Sequence, residues 1–359
     1  MGWFASKEWR AVAGRRALQL AVIGLAGLLA PAARAQPPAA DQSSTLLDQC
    51  WTPKQLAGTR GEIRPRRGKR TSPPGDDPAA SKAPASASNG VVRRVKLPEG
   101  KKLIALTFDL CELNYEVAGY DGRIVDYLRK NDVKATFFAG GKWLLTHPER
   151  TQQLMADPNF EIANHGWSHR NLQRLSGKGL SNEIGHAQRA YRKVRSQFSE
   201  RACIAPNALS AATLPERMTL FRFPYGTCAP KALEAIASAG LTPIQWDVST
   251  GDPWPGQSAK RIAGHVLRSV KPGSIVLAHA NGRGWHTAQA LPMFIPKLKA
   301  EGYEFVTVSE LLAAGEPELA PKCFDQQPGD TERWVKNSAT KQNRRRSWPA
   351  KRVWNPFQR

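Results

Sequence analysis

Acidic residues are scarce in this chain, and the scarcity is local. There are 30 Asp and Glu against 52 Lys and Arg over 359 residues, a formal net charge of +22. Residues 333–359 hold nine bases and no acid, and residues 54–102 hold 13 bases against 4 acids. Residues 103–332 are nearly balanced, with 25 bases against 23 acids. The positive excess therefore belongs to the flanks, where it serves attraction to anionic envelope polymers or membrane surfaces, or solvates a tail with no specific partner. Long apolar runs are also lacking. The one candidate, "ALQLAVIGLAGLLA" at 17–30, is too short for a permanent membrane span. Arg10, Arg15 and Arg16 precede it and "AARA" at 32–35 follows, so residues 1–35 read as a cleaved signal peptide, with an uncleaved anchor as the alternative. The expectation is an exported protein, periplasmic or extracellular, with no transmembrane segment after cleavage and no nucleic-acid partner.

Cysteine is sparse and odd in number. Cys50, Cys111, Cys203, Cys228 and Cys323 allow at most two disulfides in an oxidising compartment and leave one thiol over. Cys50 with Cys323 would clasp the ends of the middle segment, and Cys203 with Cys228 would tie a loop to the strand region after it; sequence order fixes neither pairing.

Residues 36–102 read as an N-terminal segment and, from 54 onward, a disordered linker; 54–102 and the basic tail 316–359 are rich in Pro, Gly, Ser, Ala and charge, with little apolar periodicity. Trp334, Trp348, Trp354 and Phe357 are interleaved with bases in that tail, a pattern that suits glycans. Between them, at 103–315, short β-branched or aromatic runs alternate with helical stretches: "LIALTF", "KATFFA", "FEIANH", "LFRFP", "PIQWDV", "SIVLAH" and "EFVTV" each precede a helix-like segment. Seven strand–helix units predict an α/β fold with parallel strands, a (β/α)7 barrel or, alternatively, a doubly wound open sheet. Such folds place chemistry at the C-terminal ends of strands. Asp109, His165, Arg222–Tyr225, Asp252 and His279 all fall at or just after strand ends.

His165 and His169 in "HGWSH" are four apart, a spacing that on a helical turn puts two imidazoles on one face for a divalent metal. With Asp109 near, they predict a His/His/carboxylate site that activates water. Arg222 would hold a carboxylate, the backbone amide near Tyr225 would face an oxyanion, and His279 would protonate a leaving amine. Asp252 would orient His279 or Arg222, and Trp246 and Trp254 would wall a pocket. Asp247 has no evident task.

The ordered stretches "TFDLCE", "HGWSH", "RFPYG", "WDVSTGDP" and "VLAHANG" resemble the five motifs of polysaccharide deacetylases, the carbohydrate esterases of family 4. The resemblance implies a distorted (β/α)7 barrel, a zinc ion with cobalt as the alternative, and hydrolysis of N-acetyl or O-acetyl groups on an acetylated glycan. It makes Asp109 the catalytic base, His165 and His169 metal ligands, His279 the general acid, Arg222 and Asp252 the residues that tune them, and Tyr225 the source of the oxyanion amide. The chain departs from the pattern in three places. Leu110 stands where a second Asp normally binds the metal, Ser249 where an Asp is frequent, and Pro253 where a Trp usually follows. Glu112, two residues beyond Leu110, is the acid expected to swing back to the ion. A glycan-binding pseudoenzyme that has lost its metal, or an amidase for a small substrate on the same barrel, are the competing expectations.

Overall fold

The computed structural model describes residues 46–75, 90–203 and 214–323. Its strands, in chain order, are β1 (Arg66–Arg67), β2 (Val91–Lys96), β3 (Leu103–Leu110), β4 (Glu116–Val117), β5 (Ala135–Ala139), β6 (Phe160–Asn164), β7 (Leu220–Phe221), β8 (Thr242–Pro243), β9 (Val248–Ser249), β10 (Ile275–His279), β11 (Glu304–Val306) and β12 (Glu316–Ala320). Eight of them form one parallel sheet in the order β8-β7-β6-β5-β3-β10-β9, with β11 added along the start of β3. Helices connect the strands, and the sheet curls into the distorted barrel expected from the alternation. β3 and β5 are apolar nearly throughout and buried on both faces, as strands covered by helices on one side and barrel interior on the other must be.

Parallel pairing brings all C-terminal strand ends to one rim, and the register decides who meets whom there. His279 on β10 pairs with Asp109 on β3, and Asp109 pairs with Phe138 on β5. One residue further on, Ala139 pairs with Asn164 on β6, and Asn164 with Phe221 on β7. The next residue after each of β6 and β7 is His165 and Arg222, so both project from the same row. Asp247, without a task in sequence, stitches β9 to β10: its carboxylate accepts from Ile275 N at 2.8 Å and Ser274 Oγ at 2.7 Å.

Ordered structure extends past 103–315 on both sides. β2 and β12, from the expected linker and tail, pair antiparallel. Residues 53–62 form two short helical turns that composition did not announce. Arg150 gathers them, donating to the carbonyls of Gln55, Leu56 and Ala57 and to the Glu62 carboxylate. Hydrogen bonds from this arginine, with the capping boxes Thr52–Gln55 and Thr59–Glu62, thus replace the apolar periodicity that the segment lacks. The signal peptide (1–35), residues 76–89 and the Trp-containing tail from 324 onward lie outside the described residues.

The disulfides join Cys50 to Cys203 and Cys228 to Cys323, not the pairs that chain order suggested. Trp51 stacks on Phe198 at 5.5 Å, which sets Cys50 beside the end of the long helix Gly177–Ser199 and hence near Cys203. The β12–β2 pairing carries Cys323 into the apolar cluster that already contains Cys228. Cys111 is the free, buried thiol. No helix among the described residues is long and apolar enough to cross a membrane.

Candidate active site

Two buried acid–base pairs face each other across the rim. Asp109 Oδ1 accepts from Arg222 Nη1 at 2.9 Å; the same nitrogen donates to Thr107 Oγ1 at 2.7 Å, and Nη2 donates to the Gln245 carbonyl at 3.2 Å. The guanidinium lies 3.9 Å over the Phe138 ring and is fully buried. An arginine so enclosed can release Asp109 only at high cost, since a broken buried pair leaves a charge uncompensated. On the other side His279 Nδ1 meets Asp252 Oδ1 at 2.9 Å, while Asp252 Oδ2 accepts from His279 N at 2.8 Å and Thr287 Oγ1 at 2.6 Å. Burial opposes a charged His279, but the charge and hydrogen bond of Asp252 lift its pKa well above the ordinary histidine value. The shift favours the protonated imidazole.

His165 and His169 are brought together, but not on a helical turn. They sit in a loop after β6, with Gly166 at φ 76° and His169 at φ 55°. These left-handed residues fold the chain back, so that the imidazole centroids stand 5.0 Å apart. His165 Nδ1 lies 2.9 Å from the Arg222 carbonyl, which can only accept; Nδ1 therefore carries the hydrogen and Nε2 presents its lone pair. Burial opposes a charged His165, while the charges of Asp109 and then Cys111 raise its pKa.

Sequence reading missed the residues that build this loop. Glu183, buried on the long helix, accepts from Trp167 N at 3.0 Å, Ser168 N at 2.9 Å and Ser168 Oγ at 2.8 Å. Asn164 Oδ1 accepts from Gly166 N at 2.8 Å. Gly141 N and Lys142 N donate to the carbonyls of Gly166 and Trp167 at 2.8 and 3.0 Å. The long helix comes so near that a Cβ on Gly141 would stand 2.5 Å from Ala187 Cα. An acid on the face of "LSNEIGHAQRAYRKV" that also carries Ile184 and Ala187 was the available signal. Glu183→Gln is expected to lower metal affinity by the roughly 10–100-fold typical of an outer-shell partner. Competition with a chelator measures this, and unchanged affinity would show that the loop holds its shape without the carboxylate.

Glu112 is not brought to the histidines. Its carboxylate is fully buried and accepts from Lys142 Nζ at 2.9 Å, Thr146 Oγ1 at 2.8 Å and Ala118 N at 2.8 Å. Lys142 is itself fully buried and also donates to the Glu116 carbonyl. The expectation of Glu112 as a metal ligand is therefore corrected: a buried ammonium that needs its counter-charge outcompetes the rim. Glu112→Ala is expected to destabilise the fold by about 3–5 kcal/mol, the usual result of orphaning a buried partner. A denaturant titration checks this; weakened metal binding with unchanged stability would contradict it. The group that does stand beside the histidines is Cys111, whose Sγ is 3.4 Å from His165 Nε2.

Tyr225 adopts φ 61°, ψ 7°, and its ring lies 4.4 Å from that of His169. From these two residues opens a groove of about 730 Å³ lined also by Arg66, Arg67, Arg170, Arg174 and Arg283. Trp246 packs at 5.6 Å over Arg222 and Trp254 over Arg261, so neither lines the groove as expected.

The donor set suits a zinc-like ion: two imidazoles, one with its tautomer fixed, and a sulfur, with one ligand atom each from Cys111, His165 and His169 lying within 4.8 Å of one another. The polysaccharide deacetylase family model matches residues 96–244. A peptidoglycan-N-acetylglucosamine deacetylase of Bacillus cereus is 30% identical over 220 residues, covering 60% of this chain and 91% of that protein. A chitooligosaccharide deacetylase of Bradyrhizobium is 32% identical over 52% of this chain and 82% of its own length. The peptidoglycan-N-acetylglucosamine deacetylase of Listeria monocytogenes is 32% identical over 60% of this chain, and the match spans only 41% of that protein. Among solved structures, a family 4 pseudoenzyme from Bacillus anthracis superposes with a TM-score of 0.51 at 26% identity, covering 65% of this chain and 72% of that chain. A mutant of that pseudoenzyme with restored enzymatic activity gives a TM-score of 0.50 at 27% identity, covering 63% of this chain and 72% of that chain. The chain belongs to the polysaccharide deacetylase family.

Proposed function

We propose that this protein is an exported, metal-dependent deacetylase that removes N-acetyl groups, or alternatively O-acetyl groups, from an envelope glycan. The observation that carries the reading is the convergence of Asp109–Arg222 and His279–Asp252 on either side of His165 and His169. His165 and His169 would hold the ion. When bound, it supplies Lewis acidity that polarises the acetyl carbonyl and acidifies water. Asp109, kept in place by Arg222, accepts the proton of the attacking water. The Tyr225 amide donates to the developing oxyanion, and His279 gives its proton to the departing amine nitrogen while Asp252 holds the ring. The arginine-lined groove favours a chain of sugars over a small diffusible amide, and suits a glycan carrying acidic groups. Relatives described as peptidoglycan and chitooligosaccharide deacetylases support the same class.

Acetate release from a panel of chitooligosaccharides, peptidoglycan and acetylated xylan tests the reading and ranks the substrates. Leu110, in place of the usual second Asp, favours the pseudoenzyme as the second reading. A protein that binds these glycans and releases no acetate from any of them would establish it.

Export rests on the apolar run and cleavage-like segment before residue 36. The basic flanks then draw the enzyme to anionic envelope polymers. Removing residues 333–359 is expected to leave turnover of a short soluble substrate intact and to weaken salt-sensitive retention on envelope material. Retention that survives both truncation and high salt would make the tail a bystander.

A further inference from the structure

The usual second acid of the first motif is absent, and Glu112 is committed to Lys142. We infer that Cys111 fills the vacancy: its thiolate is the third protein ligand of the metal, so that this chain carries a Cys/His/His centre. The inference rests on the reading above in one respect, that His165 and His169 hold an ion.

The geometry is that of ligands already gathered. Around a tetrahedral zinc with Zn–N of about 2.0–2.1 Å and Zn–S of about 2.3 Å, a sulfur and a nitrogen stand about 3.5 Å apart. Cys111 Sγ and His165 Nε2 are 3.4 Å apart. The Arg222 carbonyl fixes the tautomer, so Nε2 is the nitrogen whose lone pair is available to an ion. His169 closes the third corner.

Leu110 and the other cysteines cannot supply the third ligand. The Leu110 side chain is fully buried in the core. Asp109 Oδ1 is held by Arg222, which suits a base, and its Oδ2 stands 3.6 Å from His165 Nε2, where it can take a proton from water beside the ion. The four other cysteines are closed in disulfides, leaving Cys111 as the thiol that reaches the rim. Its neighbour Asn281 donates to the Cys111 carbonyl at 2.8 Å and fixes the backbone that presents the sulfur. The alternation along β3 explains the offset. Asp109 faces the rim, Leu110 faces the core, and Cys111 is the next residue to face the rim again.

Exchange of a carboxylate for a thiolate changes which ions the site takes. Sulfur favours zinc, cadmium and cobalt over magnesium and manganese. The loss of a proton from the thiol accompanies binding.

Cobalt(II) is the probe. Metal-free full-length protein titrated with cobalt is expected to bind one equivalent and to develop near-ultraviolet sulfur-to-cobalt charge-transfer absorption along with the visible bands of a four-coordinate ion. Cys111→Ser should lose the near-ultraviolet band and lower zinc affinity by more than the roughly tenfold that an outer-shell change costs. Cys111→Asp should recover affinity without the band. If Cys111→Ser does not fold, the wild-type spectrum decides alone, because the band requires sulfur bonded to the ion. Cobalt bound with its visible bands but without sulfur absorption would overturn the thiolate ligand and leave metal-dependent deacetylation standing. Wild-type protein that fails to take up one equivalent of cobalt or zinc, or an acetyl thioester trapped on Cys111 of metal-free enzyme, would also overturn it. Deacetylation itself stands or falls on acetate release.

Discussion

Asp109→Asn is expected to keep its metal and lose turnover by about 10²–10⁴-fold, the usual contribution of a positioned proton acceptor. The substitution is close to isosteric. The amide oxygen can still accept from Arg222 Nη1, so the guanidinium that is buried against Phe138 keeps a partner. What is lost is a basic oxygen for the proton of water. Turnover and bound metal must therefore be measured on the same preparation. Lost metal with residual turnover would make Asp109 a ligand and place the base elsewhere.

His165→Ala should have the larger effect. Nε2 is lost from the cluster, and so is the Nδ1 contact that ties β6 to the carbonyl of Arg222. The variant is expected to retain no zinc through gel filtration and to release acetate more slowly by well beyond the roughly 10–100-fold that removal of an outer-shell group costs. Metal analysis checks the first part and acetate release the second. Circular dichroism shows whether the barrel persists, which it should, since two disulfides and a continuous core remain. Unchanged metal content would remove His165 from the ligand set.

The strand–helix alternation was legible because buried parallel strands must be apolar over their whole length, and "LIALTFDL" or "SIVLAH" leaves little choice. The convergence of Asp109, His165, Arg222, Asp252 and His279 was legible for the same reason: strand ends of a parallel sheet share one rim. Side-chain direction at the rim was not. Glu112 had the reach to meet an ion, but sequence does not show that Lys142, 30 residues later, would be buried beside it and require its charge. Cys111 was visible only as the odd cysteine, because pairing depends on Trp51 stacking and on the β2–β12 ladder, both distant in sequence. The segment at 53–62 misled for a related reason, since its order comes from Arg150 together with the short capping boxes Thr52–Gln55 and Thr59–Glu62, not from apolar periodicity.

The most direct measurement is acetate release from an N-acetylated glycan as metal is removed and returned. Wild-type protein stripped with a chelator should lose activity, and zinc added back should restore it in proportion to occupancy, with saturation at one equivalent. Activity that persists in protein shown to be metal-free, or none in fully zinc-loaded protein on every acetylated glycan tried, would contradict the account.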